Sequence, residues 1–164
     1  MRRSALAAVA MLAGVGVASA QQGCDGFKWS VAREHAWFQA GPPSLASGGA
    51  LVSPDGAVAL TLSPVAQVHF PAAPERAPKD GTFGGTFTVN GVAAPGLYQI
   101  SLSDEAWIDV VQNGAIVVSK DFSGKKDCPG LRKSVRFELA PGAAVVEISN
   151  AAAAAINVAV APAP

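Results

Sequence analysis

From Gly96 to Val160, apolar and polar side chains alternate in segment after segment. Tyr98, Ile100 and Leu102 alternate with Gln99, Ser101 and Ser103. Val135, Phe137 and Leu139 alternate with Arg136 and Glu138, and Ala144, Val146 and Ile148 with Val145, Glu147 and Ser149. A period of two places one set on a buried sheet face and the other on a wet face. The alternation therefore predicts an all-β chain, a single-domain antiparallel β-sandwich built from roughly eight to ten strands. The low share of charged residues, 15%, and the frequent Gly and Pro suit short strands joined by tight turns.

The first 20 residues are expected to stand outside that fold. Arg2 and Arg3 precede a small apolar run from Ala5 to Ala18, and Ala18-Ser19-Ala20 is an A-x-A cleavage signal. This is the pattern of a secretory signal peptide over 1–20, leaving a β-sandwich domain over 21–164. The apolar run is shorter than the ~20 residues that span a bilayer, so no stable membrane insertion is expected. The predicted location is the periplasm or the exterior. The chain has 12 basic and 12 acidic residues, and losing Arg2 and Arg3 leaves it slightly acidic. That balance argues against nucleic acid as a partner.

Cys24 and Cys128 are the only cysteines. An even count in an exported chain predicts a disulfide between them. For a closed loop near 100 residues, the chain-entropy model assigns about 4.7 kcal/mol to such a bridge. Two separate thiols or a metal-binding pair remain as alternatives.

Along the chain, strands are expected near 27–32, 51–52, 57–62, 65–70, 82–89, 96–103, 106–112, 115–120, 133–139, 143–149 and 155–160. Residues 33–39 fit either a helical turn or a continuing strand. Gly41-Pro42-Pro43 opens a loop over 41–49, and the proline-rich segment 71–81 is expected as an extended surface loop away from any buried position. Gly84-Gly85 suggests a bulge or a close backbone approach. Asn90-Gly91 and Asn113-Gly114 are turn signals, the second flanked by two β-rich runs as in a two-residue hairpin. The alanines of 151–155 are expected to form a loop returning into the last strand.

Over 95–160 the layout resembles the bacterial pre-peptidase C-terminal (PPC) jelly-roll modules. The matching pieces are Pro95-Gly96-Leu97-Tyr98-Gln99-Ile100-Ser101-Leu102, the turn at Asn113-Gly114, the run Arg136-Phe137-Glu138-Leu139-Ala140-Pro141-Gly142, and the closing Asn157-Val158-Ala159-Val160. The resemblance implies a non-enzymatic accessory or binding role. The whole chain is also similar to short exported proteins of Gram-negative bacteria, some of which carry an aromatic-ring (homogentisate-type) dioxygenase label.

No motif of high chemical specificity stands in the chain, and no catalytic residue or cofactor is assigned. A two-His-one-carboxylate iron site would need His35 and His69, the only histidines, with Glu34 or Glu75. No H-x-D or H-x-E pair brings two such ligands together. Asp104, Glu105 and Asp109 lack the regular run of oxygen ligands that calcium takes. Lys120, Lys125, Lys126, Arg132, Lys133 and Arg136 crowd into one short stretch. Such a patch can hold an anionic ligand or an acidic polysaccharide, or it can simply be solvated edge-strand lysine. Among the tryptophans, Trp37 beside the proline loop is the candidate sugar platform, while Trp29 and Trp107 are the others and Trp107 is expected in the core. The candidate ligand-binding residues are thus Trp37, Lys125, Lys126, Arg132 and Lys133, and the candidate partners a glycan or another exported protein.

Overall fold

A computed structural model describes residues 23–164, so the leader expected over 1–20 lies outside the described residues. Twelve strands run in chain order: β1 (Ser44–Ala46), β2 (Ala50–Leu51), β3 (Gly56–Thr61), β4 (Ser63–Pro64), β5 (Phe83–Val92), β6 (Gly96–Leu102), β7 (Trp107–Gln112), β8 (Ala115–Ile116), β9 (Ser119–Gly124), β10 (Lys133–Leu139), β11 (Gly142–Ala151) and β12 (Ala155–Pro162). They form two six-stranded sheets. Sheet I has the order β1-β3-β12-β6-β10-β9, and sheet II the order β2-β5-β11-β7-β8 with β4 paired to β5. Pairing is antiparallel except at β1–β3 and β2–β5, where two short edge strands run parallel to their neighbours.

The predicted apolar parity is the core. Tyr98, Ile100 and Leu102, then Val135, Phe137 and Leu139, face Ala144, Val146 and Ile148 across the sandwich, joined by Phe87, Val110 and Val158. Each such side chain contributes roughly 1.5–3 kcal/mol when taken fully out of water. The Asn113-Gly114 hairpin forms as expected. Both residues have positive φ, 54° and 78°, and Gln112 pairs with Ala115 across them. Gly84 and Gly85 mark a close approach, since a Cβ on Gly84 would stand 2.8 Å from the Ile148 carbonyl oxygen.

The opposite parity is not wet. Gln99, Ser101, Ser134, Glu147 and Ser149 are all buried. Sheet I carries a second apolar cluster on its outer face, where Phe27, Val31 and Phe38 pack on Leu131, Ala159 and the disulfide. Sheet II is covered by the segment after His69, whose backbone reaches buried carboxylates. The Ala72 N–H donates to Glu147 Oε1 (2.9 Å), and the Glu75 N–H to Asp109 Oδ2 (3.2 Å). The loop of 71–81 is thus an anchored strap, contrary to its expected distance from buried positions.

Five local expectations are corrected. Residues 27–32 form no strand. Their alternation records which side faces sheet I, but their polar groups bond to side chains: Lys28 N–H donates to Ser123 Oγ, and Ser30 O accepts from Gln99 Nε2. The undecided segment is helix α1 (Ala32–Gln39), ended at the Gly41-Pro42-Pro43 break. Val65–Gln67 is a 3-10 turn, and β1 lies inside the expected loop of 41–49. Asn90-Gly91 sits within β5, where the pairing with β11 shifts register, so Gly91 with φ 72° serves a bulge and not a turn. The expected strand at 115–120 is split as well. Ala115–Ile116 stays in sheet II and Ser119–Gly124 crosses to sheet I.

Candidate functional site: a cationic cleft at the edge of the sandwich

That crossing leaves a gap. β8 ends early, β9 forms the rim of sheet I, and between them the sandwich is open. A cleft of about 390 Å³ lies there, lined by Glu75 and Arg76 of the strap, Glu105 and Trp107 at the start of β7, Phe122 of β9, and Arg132, Lys133 and Val135 at the start of β10.

Trp107 is its centre. It shares parity with Asp109, opposite to the core residues Ile108 and Val110, so its ring stands on the outer side of sheet II. Its Nε1–H donates to Asp109 Oδ1 (2.9 Å), which fixes the ring. Asp109 in turn holds the strap through Glu75, so one buried carboxylate sets both the platform and its border. Burial raises the Asp109 pKa above the ordinary aspartate value, while the bonds from Trp107 and Glu75 oppose the rise.

Two cations lie over the Trp107 ring, Arg76 with its Cζ 4.4 Å from the centroid and Lys133 with its Nζ at 4.8 Å. Lys133 also donates to the Ala106 carbonyl (3.2 Å). Burial holds the Lys133 ammonium below the usual lysine range; Glu105 opposes this, and Arg76 and Arg132 add to it. Arg132 is neutralised by Glu105 at 2.5 Å. Neither Arg76 nor Lys133 has an ion-pair partner within 4 Å among the described residues. The cleft therefore carries surplus positive charge beside a fixed aromatic ring, and Phe122, 65% exposed, supplies an apolar wall.

The structure separates the basic residues that the sequence grouped. Arg132 and Lys133 line the cleft. The Lys125 side chain lies over Gly26, and Lys126 is exposed in the turn before Cys128. Lys120 pairs with Glu138 on the surface, and Arg136 stacks on Trp29 (4.2 Å) beneath the N-terminal cover. Trp37 is no open platform: it packs against the outer cluster of sheet I, with Arg33 over its ring. Trp107, expected in the core, is the cleft tryptophan instead. Arg76 and Phe122 were not read as site residues. Only the parity of Trp107 with Asp109 hinted at this placement.

The histidines are also apart. His35 is on α1 outside sheet I, with its Nε2 2.8 Å from the Pro129 carbonyl, while His69 lies in the connection leading into sheet II. Glu34 is bonded to Gln99, and Glu75 is on the strap, so the two histidines do not converge with either on a common ion. Among the described residues, the one group of three metal-type ligands is Cys24, His35 and Cys128. Asp104 accepts from Ser103, Glu105 pairs with Arg132 and Asp109 anchors the strap, which disperses the calcium set.

Comparison with protein-family models, with curated proteins and with solved structures finds no significant match to this chain. The class is set by the fold itself, a disulfide-bonded two-sheet β-sandwich with a cationic aromatic cleft at one edge.

Proposed function

We propose that this chain is an exported, non-enzymatic binding module whose edge cleft takes an anionic ligand carrying a ring, such as an acidic glycan. The carrying observation is the pair of cations without ion-pair partners, Arg76 and Lys133, held over Trp107. A carboxylate or sulfate entering there gains charge-assisted hydrogen bonds in a partly dry site, where they are stronger than in water. Its ring would lie along Phe122. The resemblance over 95–160 supports an accessory role of the PPC kind. The Cys24–Cys128 disulfide supports export to the periplasm or beyond. No helix among the described residues is long and apolar enough to cross a membrane.

The test is calorimetric titration with uronate-bearing, sulfated and neutral oligosaccharides of matched length. Binding of an acidic member, weakened by salt and at least tenfold by Arg76→Gln, is the expected result. Equal binding of the neutral member, or indifference to both Arg76→Gln and Lys133→Gln, would overturn the proposal.

A further inference from the structure

The disulfide region carries a different chemistry. Both sulfurs of Cys24 and Cys128 and one ring nitrogen of His35 lie within 4.8 Å of one another. The three come from separate parts of the chain: the N-terminal turn, α1 and the loop between β9 and β10. We infer that Cys24, Cys128 and His35 form a redox-gated site for a thiophilic cation of the Zn²⁺ class, closed in the disulfide state and open in the dithiol state.

The tautomer of His35 supports this. Its Nε2 lies 2.8 Å from the Pro129 carbonyl oxygen, which can only accept. With the Nε2–H given to that carbonyl, the Gln39 amide nitrogen 3.4 Å from Nε2 is not its donor, and Nδ1 keeps the lone pair a metal needs. A backbone carbonyl fixing the far nitrogen is the usual outer-shell support of a metal-bound histidine. Cys128 and His35 are 5% and 6% exposed, so the site is already shielded. A groove of about 710 Å³, lined by Cys24, Asp25, His35 and Gln39, leads to it from solvent. The cysteine Cα atoms are 4.6 Å apart. Thiolates on one tetrahedral zinc stand about 3.8 Å apart, within reach of side-chain rotation. Two sulfurs and one nitrogen leave a fourth position facing the groove for water, as in Cys₂His sites.

The opening step is thiol–disulfide exchange with an external dithiol. A thiolate of that dithiol attacks the sulfur of Cys24, the less buried of the two cysteines, forming a mixed disulfide and expelling Cys128 as its thiolate. The second thiol of the reductant then releases Cys24. The reductant ends as its own disulfide, and two electrons and two protons have passed to Cys24 and Cys128. A divalent cation then displaces those two protons. Exchange with an external disulfide, which takes up the two electrons and leaves as its dithiol, re-forms the Cys24–Cys128 bond, removes both thiolate ligands and expels the ion.

Co²⁺ reads the site directly. The purified protein is reduced without oxygen, freed of reductant, and titrated with Co²⁺ while thiolate-to-cobalt charge-transfer absorption is recorded. One Co²⁺ per chain with that band, displaced by Zn²⁺ and absent from the oxidised protein, is expected. His35→Ala and His35→Gln, each checked for folding by tryptophan emission in the oxidised state, should weaken binding at least about tenfold. Absence of the band, equal affinity in the folded His35 variants, or loss of native tryptophan emission on reduction alone would each overturn the inference.

Discussion

The two outer faces of the sandwich are both roofed, and by opposite means. Over sheet I, residues 23–40 are held by apolar packing of Phe27, Val31 and Phe38 and by a covalent bridge. Over sheet II, the strap of 71–81 forms no regular element and is held by N–H groups donated to side-chain acceptors, two of them buried carboxylates. Ala72 bonds to Glu147, Glu75 to Asp109 and Lys79 to Asn150. The first roof uses the sheet's small residues, such as Ala159, as a floor. The second uses the sheet's acids as hooks. A polar residue at an outward strand position is thus no sign of a solvated face. Under the N-terminal roof, Gln99 is itself an anchor, donating to Glu34 Oε1 at 2.7 Å.

If the covalent roof is the stronger, breaking it should cost most. The Cys24→Ser/Cys128→Ser double variant is expected to lose up to about 4.7 kcal/mol of stability in urea denaturation, since the bridge spans 104 positions. A loss below about 1 kcal/mol would mean that packing alone seats the N-terminal segment. Next comes Leu131→Ala, which empties the floor of the same roof. Leu131 is fully buried, so a loss of about 3 kcal/mol is expected from the same measurement.

On the strap side, Asp109→Ala should cost about 2 kcal/mol. It leaves the Trp107 Nε1–H and the Glu75 N–H without their acceptor. The same change frees the Trp107 ring, so ligand affinity in the edge cleft should fall with stability. Affinity unchanged despite lost stability would separate the strap from the cleft and show that Trp107 is positioned by other contacts.

The unequal legibility of these regions has a physical cause. The core was readable because alternation reports burial directly, and Phe137, Ile100 and Val146 stand where their parity put them. Alternation cannot report what covers the other face. Glu147 and Ser149 read as wet because nothing local in β11 records a strap arriving from 75 positions away. The same limit hid the cleft. Arg132 and Lys133 were named from charge density alone, but their partners Arg76 and Trp107 come from the strap and from β7. The pattern at 27–31 failed for a related reason: a segment lying flat on a sheet alternates as a strand does, without its ladder bonds. The disulfide was legible because an even cysteine count behind an expected export leader suffices to predict it.

The smallest and most discriminating effect lies at Glu147. It is directly opposite Asp109 across β11 and β7 and 1% exposed, and its Oε2 has no hydrogen-bond partner. Burial raises its pKa above the ordinary value of 4.5; the Ala72 N–H opposes the rise, and the Asp109 charge adds to it. A folded-state pKa above the unfolded one means that the native chain holds its proton more tightly. The resulting stabilisation is complete below the unfolded value and is lost as pH rises through the folded one. The Asp109 pKa is displaced in the same direction. Stability should therefore decline as pH climbs from about 4.5 toward neutrality, where two opposed carboxylates sit under the strap. Glu147→Gln keeps an oxygen for the Ala72 N–H and removes one charge of the pair. It should flatten that decline and, at neutral pH, gain on the order of 1 kcal/mol. Urea denaturation of both proteins across the acid-to-neutral range reads the difference. A variant that instead loses stability at neutral pH would show that the strap is hooked by the carboxylate charge itself, and the contrast between the two roofs would then be one of charge against apolar packing.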